Sequence, residues 1–282
     1  METGTSDLER LFARQLAARR IDLPPMPGTA SEVMSLCQQP ATDAARLSAV
    51  VHRDQAIASH VLRVANSAAY VGQVPCVSLQ QAITRLGQRQ VSEIVMAAAL
   101  RGHLFHDPAC ADLLALVWKH SVLTGFFTKE IARQLRRNVE IAFLCGLLHD
   151  VGKAVLLGSV DESVGPSSPM PPLREVLGAI EAHHVEIGVL LAVEWKLPEQ
   201  IAEAISFHHA AATAPRFAEL AHTDALADAL AHHVAPSVLA APIGPDDIRQ
   251  HDAFDVLNVY PDQLDALLAL RDRAIALTED MR

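Results

Sequence analysis

Histidines and aspartates collect in the second half of this 282-residue chain in a pattern that suits a metal ion. His149 and Asp150 stand side by side in LLHDVGKA at the rim of an apolar run, His120 lies in VWKHSV, His183 and His184 in AHHVEIG, and His208 and His209 in SFHHA. Asp224 and Asp228 follow in TDALADAL, four apart and so on one face of a helix. Imidazole nitrogen with carboxylate oxygen is the donor mix of a borderline divalent ion such as Fe, Mn or Zn, the carboxylates offsetting the ion's charge. Such an ion lowers the pKa of a water it holds and makes hydroxide available to a phosphorus centre, and a second ion can clamp the leaving oxygen. Lys153, one turn past Asp150, is placed to contact a phosphate. The plainer alternative is a metal-free lobe in which these side chains hydrogen-bond one another, with Asp150 balancing a protonated histidine. His52, His60, His103, His106, His222, His232, His233 and His251 are read as hydrogen-bonded structural residues. His183 and His209 equally suit solvent-facing neighbours of His184 and His208.

The elements that must position these groups are helices. Hydrophobic residues make up 50% of the chain and aromatic residues only 4%. Ala and Leu are very frequent, a balance that favours helices packed through small residues over sheets. An all-α, two-lobed bundle is expected. Residues 1–20 carry an amphipathic pattern through Leu8, Leu11, Phe12 and Leu16, and the prolines of LPPMP stop it. A first lobe over 21–108 begins with a helix near Glu32, capped by Thr29 or Ser31. It continues through segments that Asp43 and Asp54 start. Asn66 and Ser67 of ANSAAY are read as pinning a turn. Gly87 splits SLQQAITRLGQRQVSEIVMAAAL into two helices meeting at a turn.

Asp107 and Pro108 mark a joint. The second lobe, 109–235, is expected to hold helices near 111–136, 139–150, 173–194, 198–208 and 216–234, with 161–172 an exposed loop. Residues 236–282 form a C-terminal extension in which, after APSVLAAPIGPDD, the pattern restarts as DVLNVYPDQLDALLALRDRAIAL (255–277), a closing helix or helix pair.

The net charge is −10, and the densest basic stretch, Arg133 to Arg137, is short, so no nucleic-acid partner is expected. Cys37, Cys76, Cys110 and Cys145 show no CxxC pairing and read as core fillers in a reducing compartment. No apolar run is seen to approach the roughly 20 residues of a membrane span. A cytoplasmic protein without a membrane partner is the expectation.

The chain resembles the HDOD domain family, signalling relatives of the HD-domain metal-dependent phosphohydrolases. The resemblance is carried by LPPMP (23–27), VLRVANSAAY (61–70), SLQQAITRLG (78–87), WKHSV (118–122), FLCGLLHDVGK (143–153), the stretch from His183 to His209, and LADAL (226–230). It implies His120, His149, Asp150 and Asp228 as primary metal ligands. By similarity to HD-GYP enzymes it implies His184, with His208 and His209, for a second metal. The chain lacks the GYP triplet of those enzymes and has no acid directly after SFHH, so hydrolysis of cyclic di-GMP is not implied. The resemblance implies a signal-transduction output or scaffold module acting on a signalling protein partner. The alternative is a metal-dependent phosphohydrolase using the same ligands.

Overall fold

The computed structural model describes residues 6–37, 44–67, 70, 74–165 and 169–281, and no strand occurs among them. Asp43, Ala68 and Ala69 of ANSAAY, and 166–168 of the expected loop lie outside the described residues, as does the side chain of Cys37. The class is all-α, as expected. The chain divides into two compact units: Met1–Pro25 with Leu104–Leu264, and Met26–His103 with Asp265–Arg282. The expected joint lies close to Leu104. The first helix groups with the first of these units and the last with the second, and the apolar faces built by Leu8, Phe12 and Leu16 and by Ala274 and Leu277 are buried.

The second of these units contains α2 (Gly28–Cys37), α3 (Ala44–Val51), α4 (Gln55–Ala65) and most of α5 (Leu79–Leu104). Helix α2 begins at Gly28, before the expected start, and Ser31 N already donates to Pro27 O. Thr29 and Ser31 therefore sit in its first turn and not at its cap. Asp54 does cap α4, its Oδ1 accepting from Ala56 N and Ile57 N at 3.1 Å. Asn66, at the end of α4, donates from Nδ2 to Cys76 O (2.9 Å) and accepts from Cys76 N (2.7 Å), which pins the returning chain. Gly87, at φ 82° and ψ 158°, breaks α5 at the expected place.

The unit with the histidines is built from α1 (Asp7–Ala17), α6 (Ala111–Gln134), α7 (Val139–Leu148), α8 (Val151–Gly158), α9 (Val160–Val164), α10 (Leu173–Glu194), α11 (Glu199–Phe207) and α12 (Ala218–Val234). Short helices α13 (Pro245–Arg249), α14 (Ala253–Leu257) and α15 (Pro261–Leu268) follow, and α16 (Arg271–Asp280) ends the chain. The closing helix or helix pair expected over 255–277 is thus three helices, α14, α15 and α16, with α13 before them. Pro245 and Pro261 each begin a helix, and Asn258, left-handed at φ 52°, ends α14. Asn138 caps α7 through Oδ1 (3.1 and 3.2 Å to Glu140 N and Ile141 N). Helices α6 and α10 end on left-handed Arg136 and Lys196, with closing bonds from Arg137 N to Ala132 O and from Leu197 N to Ala192 O.

Helix α6 lies against α7 and α12, and α8 lies against α10. Two glycines permit this closeness. A Cβ on Gly146 would fall 2.0 Å from Thr128 Oγ1 and 2.7 Å from Thr124 O of α6, and one on Gly152 would fall 1.9 Å from His184 O of α10.

Two expectations need correction. The helix expected near 139–150 is α7, which ends where His149 and Asp150 lead into α8, a helix that was not expected, and the expected loop begins with helical residues of α9. The stretches Pro108–Gln134, Val139–Val164 and Leu173–Glu194 are also long and apolar enough, by length and composition, to cross a membrane. Unbroken apolar runs are interrupted here by His120, His149, Asp150, Lys153 and His184, which an averaged hydropathy tolerates. In this fold these stretches carry the buried polar cluster.

Candidate metal centre

His149 ends α7 in helical conformation, and Asp150 takes φ −104°, ψ 14° as the chain turns into α8. The pair therefore faces inward at a helix junction. His120 comes from the middle of α6, His184 from α10, His208 and His209 from just beyond α11, and Asp228 from α12. His149, Asp150, His184 and His208 are almost fully buried.

Asp150 joins two groups of histidines. Its Oδ2 lies 3.4 Å from His149 Nε2 and 3.8 Å from His120 Nε2, while its Oδ1 lies 3.4 Å from His184 Nε2 and 3.8 Å from His208 Nε2. On the first side, Asp228 Oδ1 is 2.8 Å from His120 Nε2 and 3.7 Å from His149 Nε2. On the second, His184 Nε2 is 3.3 Å from His208 Nε2 and 3.1 Å from His209 Nε2. Four ligands on a tetrahedron with bonds of about 2.1 Å stand roughly 3.4 Å apart, and these separations match that spacing.

The tautomers make the fit chemical as well as geometric. Nδ1 of His149, His184 and His208 lies 2.8, 2.9 and 2.7 Å from the carbonyls of Gly146, Glu181 and Ile205, each three residues earlier. A carbonyl only accepts, so each Nδ1 carries a proton, and whenever the ring is neutral its bare Nε2 lone pair faces the cluster. Facing lone pairs at 3.1–3.3 Å need a proton or a cation between them. Asp150 Oδ1 is buried without a hydrogen bond, which a cation would also satisfy. Backbone bonds that fix ring tautomer and orientation are the usual support of metal-ligating histidine. His120, His149, Asp150 and Asp228 can hold one divalent ion, and Asp150, His184, His208 and His209 a second.

Charge reinforces the arrangement. Burial would raise the Asp150 carboxyl, but His149 and Lys153 outweigh it and hold Asp150 well below the usual carboxylate range. Burial opposes charge on His149 too, yet Asp150 and Asp228 beside it raise its pKa well above the ordinary imidazole value. A metal ion held by the first group would take the place of that proton. Burial lowers His208 to about 3, so it stays a neutral donor.

Lys153 is committed elsewhere than the sequence suggested. Its Nζ lies 2.9 Å from Asp150 Oδ2 and 3.2 Å from Glu181 Oε2, and the side chain is buried. It orients Asp150, and a phosphate would have to displace a carboxylate to reach it. His183 turns away, its Nε2 3.3 Å from Glu9 O of α1. His209 is half exposed and lies at the open edge, 3.6 Å from Glu181 Oε1. Asp224 is fully buried with neither carboxylate oxygen hydrogen-bonded, and burial raises it to about 7.

Sequence reasoning missed two residues. Glu181 bridges Lys153 and His209, and the available signal was its position three residues before His184. His232, read as merely structural, has Nε2 3.4 Å from Asp228 Oδ1 and a ring stacked on His120 at 4.2 Å between centroids. Its signal was the i, i+4 spacing from Asp228.

The HDOD domain model matches residues 23–211. The chain belongs to the HDOD domain family. The HDOD chain shares its fold with a candidate metal-dependent phosphohydrolase from Shewanella amazonensis SB2B (TM-score 0.72, 18% identity, 98% of this chain and 100% of that one). It does so equally with an HDOD domain protein of unknown function from Geobacter sulfurreducens (TM-score 0.72, 20% identity, 97% and 98%). Among curated proteins, an uncharacterized protein of Treponema pallidum is 27% identical over 225 residues, covering 76% of this chain and 42% of its own length. Ribonuclease Y of Acholeplasma laidlawii is 32% identical over 93 residues, 33% of this chain and 14% of the enzyme. The HDOD chain thus spans less than half the length of these curated relatives.

Proposed function

We propose that this HDOD chain is a signal-transduction module that holds two divalent ions, Fe, Mn or Zn, around Asp150 and acts on a protein partner. The observation that carries the metal reading is the set of Nε2 lone pairs directed at one another across a shared carboxylate. The protein-binding reading rests on the other unit. Among the described residues, every group of potential metal ligands lies in the unit with α6–α12. The unit with α2–α5 instead shows an open groove of about 760 Å³ lined by Val74, Cys76, Gln81 and Arg85, with Val74 and Val77 exposed. Exposed apolar side chains of this kind suit protein recognition. The buried free thiols Cys76, Cys110 and Cys145 fit a reducing cytoplasm.

The test is elemental mass spectrometry on untagged protein purified without chelator, beside a His149→Ala, Asp150→Ala double mutant. About one or two equivalents of Fe, Mn or Zn in the parent, lost in the mutant, is the expected result. A folded parent with no metal refutes the metal reading.

Metal-dependent phosphoester hydrolysis is the second reading, favoured by a complete ligand set with an open edge at His209, Glu181 and Asp228. A bound ion would supply a Lewis acid and an activated water there. The chain's own part is to orient: Gly146, Glu181 and Ile205 carbonyls fix the rings, Lys153 fixes Asp150, and the apolar shell excludes bulk water. The ribonuclease name of some relatives makes a phosphodiester the first substrate class to test. No turnover of bis(p-nitrophenyl) phosphate or a dinucleotide by metal-loaded protein, under conditions where an active HD enzyme turns over, sinks this reading.

A further inference from the structure

We propose that His232 is a positioning residue of the metal centre, its Nε2–H holding the Asp228 carboxylate toward the ion; this rests on the metal reading above. Three imidazole nitrogens surround Asp228 Oδ1: His120 Nε2 at 2.8 Å, His232 Nε2 at 3.4 Å and His149 Nε2 at 3.7 Å. An ionised carboxylate only accepts, so this oxygen needs a donor or a cation. Once an ion is held, His120 and His149 give it their Nε2 lone pairs and have no proton there to offer Asp228. His232 is then the one of the three that can donate.

Its placement suits that role. Asp228 and His232 are four residues apart on α12, so the helix fixes their spacing. The His232 ring is 7% exposed and stacks on His120 with 24° between planes, which restricts its swing. A ligating carboxylate is itself commonly held by an outer hydrogen bond, and loss of such a partner weakens metal binding by about 10–100-fold. His232 stands outside the H…HD…D ligand pattern and adds a support to it.

The experiment compares full-length wild type, His232→Phe and His232→Gln by competition of Zn²⁺ or Mn²⁺ against a chromophoric chelator, with stoichiometry measured in parallel. His232→Phe keeps the stacked ring and removes the donor, whereas His232→Gln restores an N–H near the same place. The expected result is affinity about 10–100-fold weaker in His232→Phe, recovered in large part by His232→Gln, with the number of ions unchanged. In an Asp228→Ala background the two substitutions should become equivalent, a coupling that general misfolding would not produce. Wild-type affinity in His232→Phe overturns the proposal. So does loss of a whole equivalent in both variants, because His232 would then be a ligand itself. Absence of metal from wild type overturns the metal reading with it, and is distinguishable because no variant is needed to see it.

Discussion

Alanine at position 152 should open the metal centre by pushing two helices apart. The Cβ of Gly152→Ala would stand 1.9 Å from His184 O, 2.8 Å from His184 C and 2.9 Å from Gly188 N. All three are backbone atoms, so no rotamer change relieves the clash. Reaching a tolerable carbon–oxygen contact of about 3.2 Å requires roughly 1.3 Å of separation between α8 and α10. That movement carries His184 away from Asp150, whose Oδ1 it now approaches at 3.4 Å, and misplacements of about 1 Å are enough to cost a site 100-fold. Overpacking commonly costs about 1–3 kcal/mol, and a purely backbone clash belongs at the upper end of that range. At about 2–4 °C per kcal/mol for a domain of this size, Tm should fall by roughly 6–12 °C. Thermal unfolding in chelator reads the first effect, and metal stoichiometry reads the second as loss of about one equivalent. Gly178→Ala is the control: it lies in α10 with nothing within 4 Å of the new Cβ, and should gain about 0.5–1 kcal/mol from helix propensity. If Gly152→Ala melts with wild type and keeps its metal, the close approach of α8 and α10 is not what sets the cluster.

Asp150→Asn should remove metal from both groups and lower the stability of metal-free protein by about 3–5 kcal/mol, since buried Lys153 loses its nearer counter-charge; chemical denaturation in chelator measures it. Asp224, whose folded pKa of about 7 exceeds the ordinary 3.8, binds more protons folded than unfolded between those values. Stability of metal-free protein should therefore fall as pH rises from about 4 to 7, by something on the order of 4 kcal/mol. Asp224→Asn should remove that dependence, and parallel pH profiles for variant and wild type would refute the assignment. Asn66→Ala should cost about 1–3 kcal/mol, because both Cys76 backbone groups lose their partner; an unchanged urea midpoint would count against the pin.

What could be read in the sequence follows from what is local. The Gly87 break, the Asp54 cap and the Asn66 pin rest on nearest-neighbour chemistry, and the helices expected near 173–194 and 216–234 lie, within two residues, where periodicity puts them. The helix start at Gly28 was hidden by Thr29 and Ser31, good cap residues that lie one turn inside. Helix α8 was missed because VGKAVLLG continues the apolar run beyond the His-Asp pair, with no proline or side-chain cap to mark a second helix. In the site, residue types pointed to the set of histidines and aspartates, but not to which of two adjacent histidines faces inward. That depends on the rotation of α10, which puts His184 in the cluster and His183 against α1. Glu181 beside Lys153 and the His120 ring beside His232 come from other helices, so local spacing showed only their nearer partners, Asp150 and Asp228.

Sharing one carboxylate between two groups of ligands makes their occupancies interdependent. The charge on Asp150 that would attract an ion to His120 and His149 is the same charge that His184 and His208 would offer to another. A first ion would draw on it and repel a second, while also fixing Asp150 in the pose the second requires. By thermodynamic reciprocity, whatever factor one ion imposes on the other's affinity is returned unchanged. An HDOD module built this way would respond to metal supply with a titration curve that departs from two independent sites, and its shape would report which influence prevails.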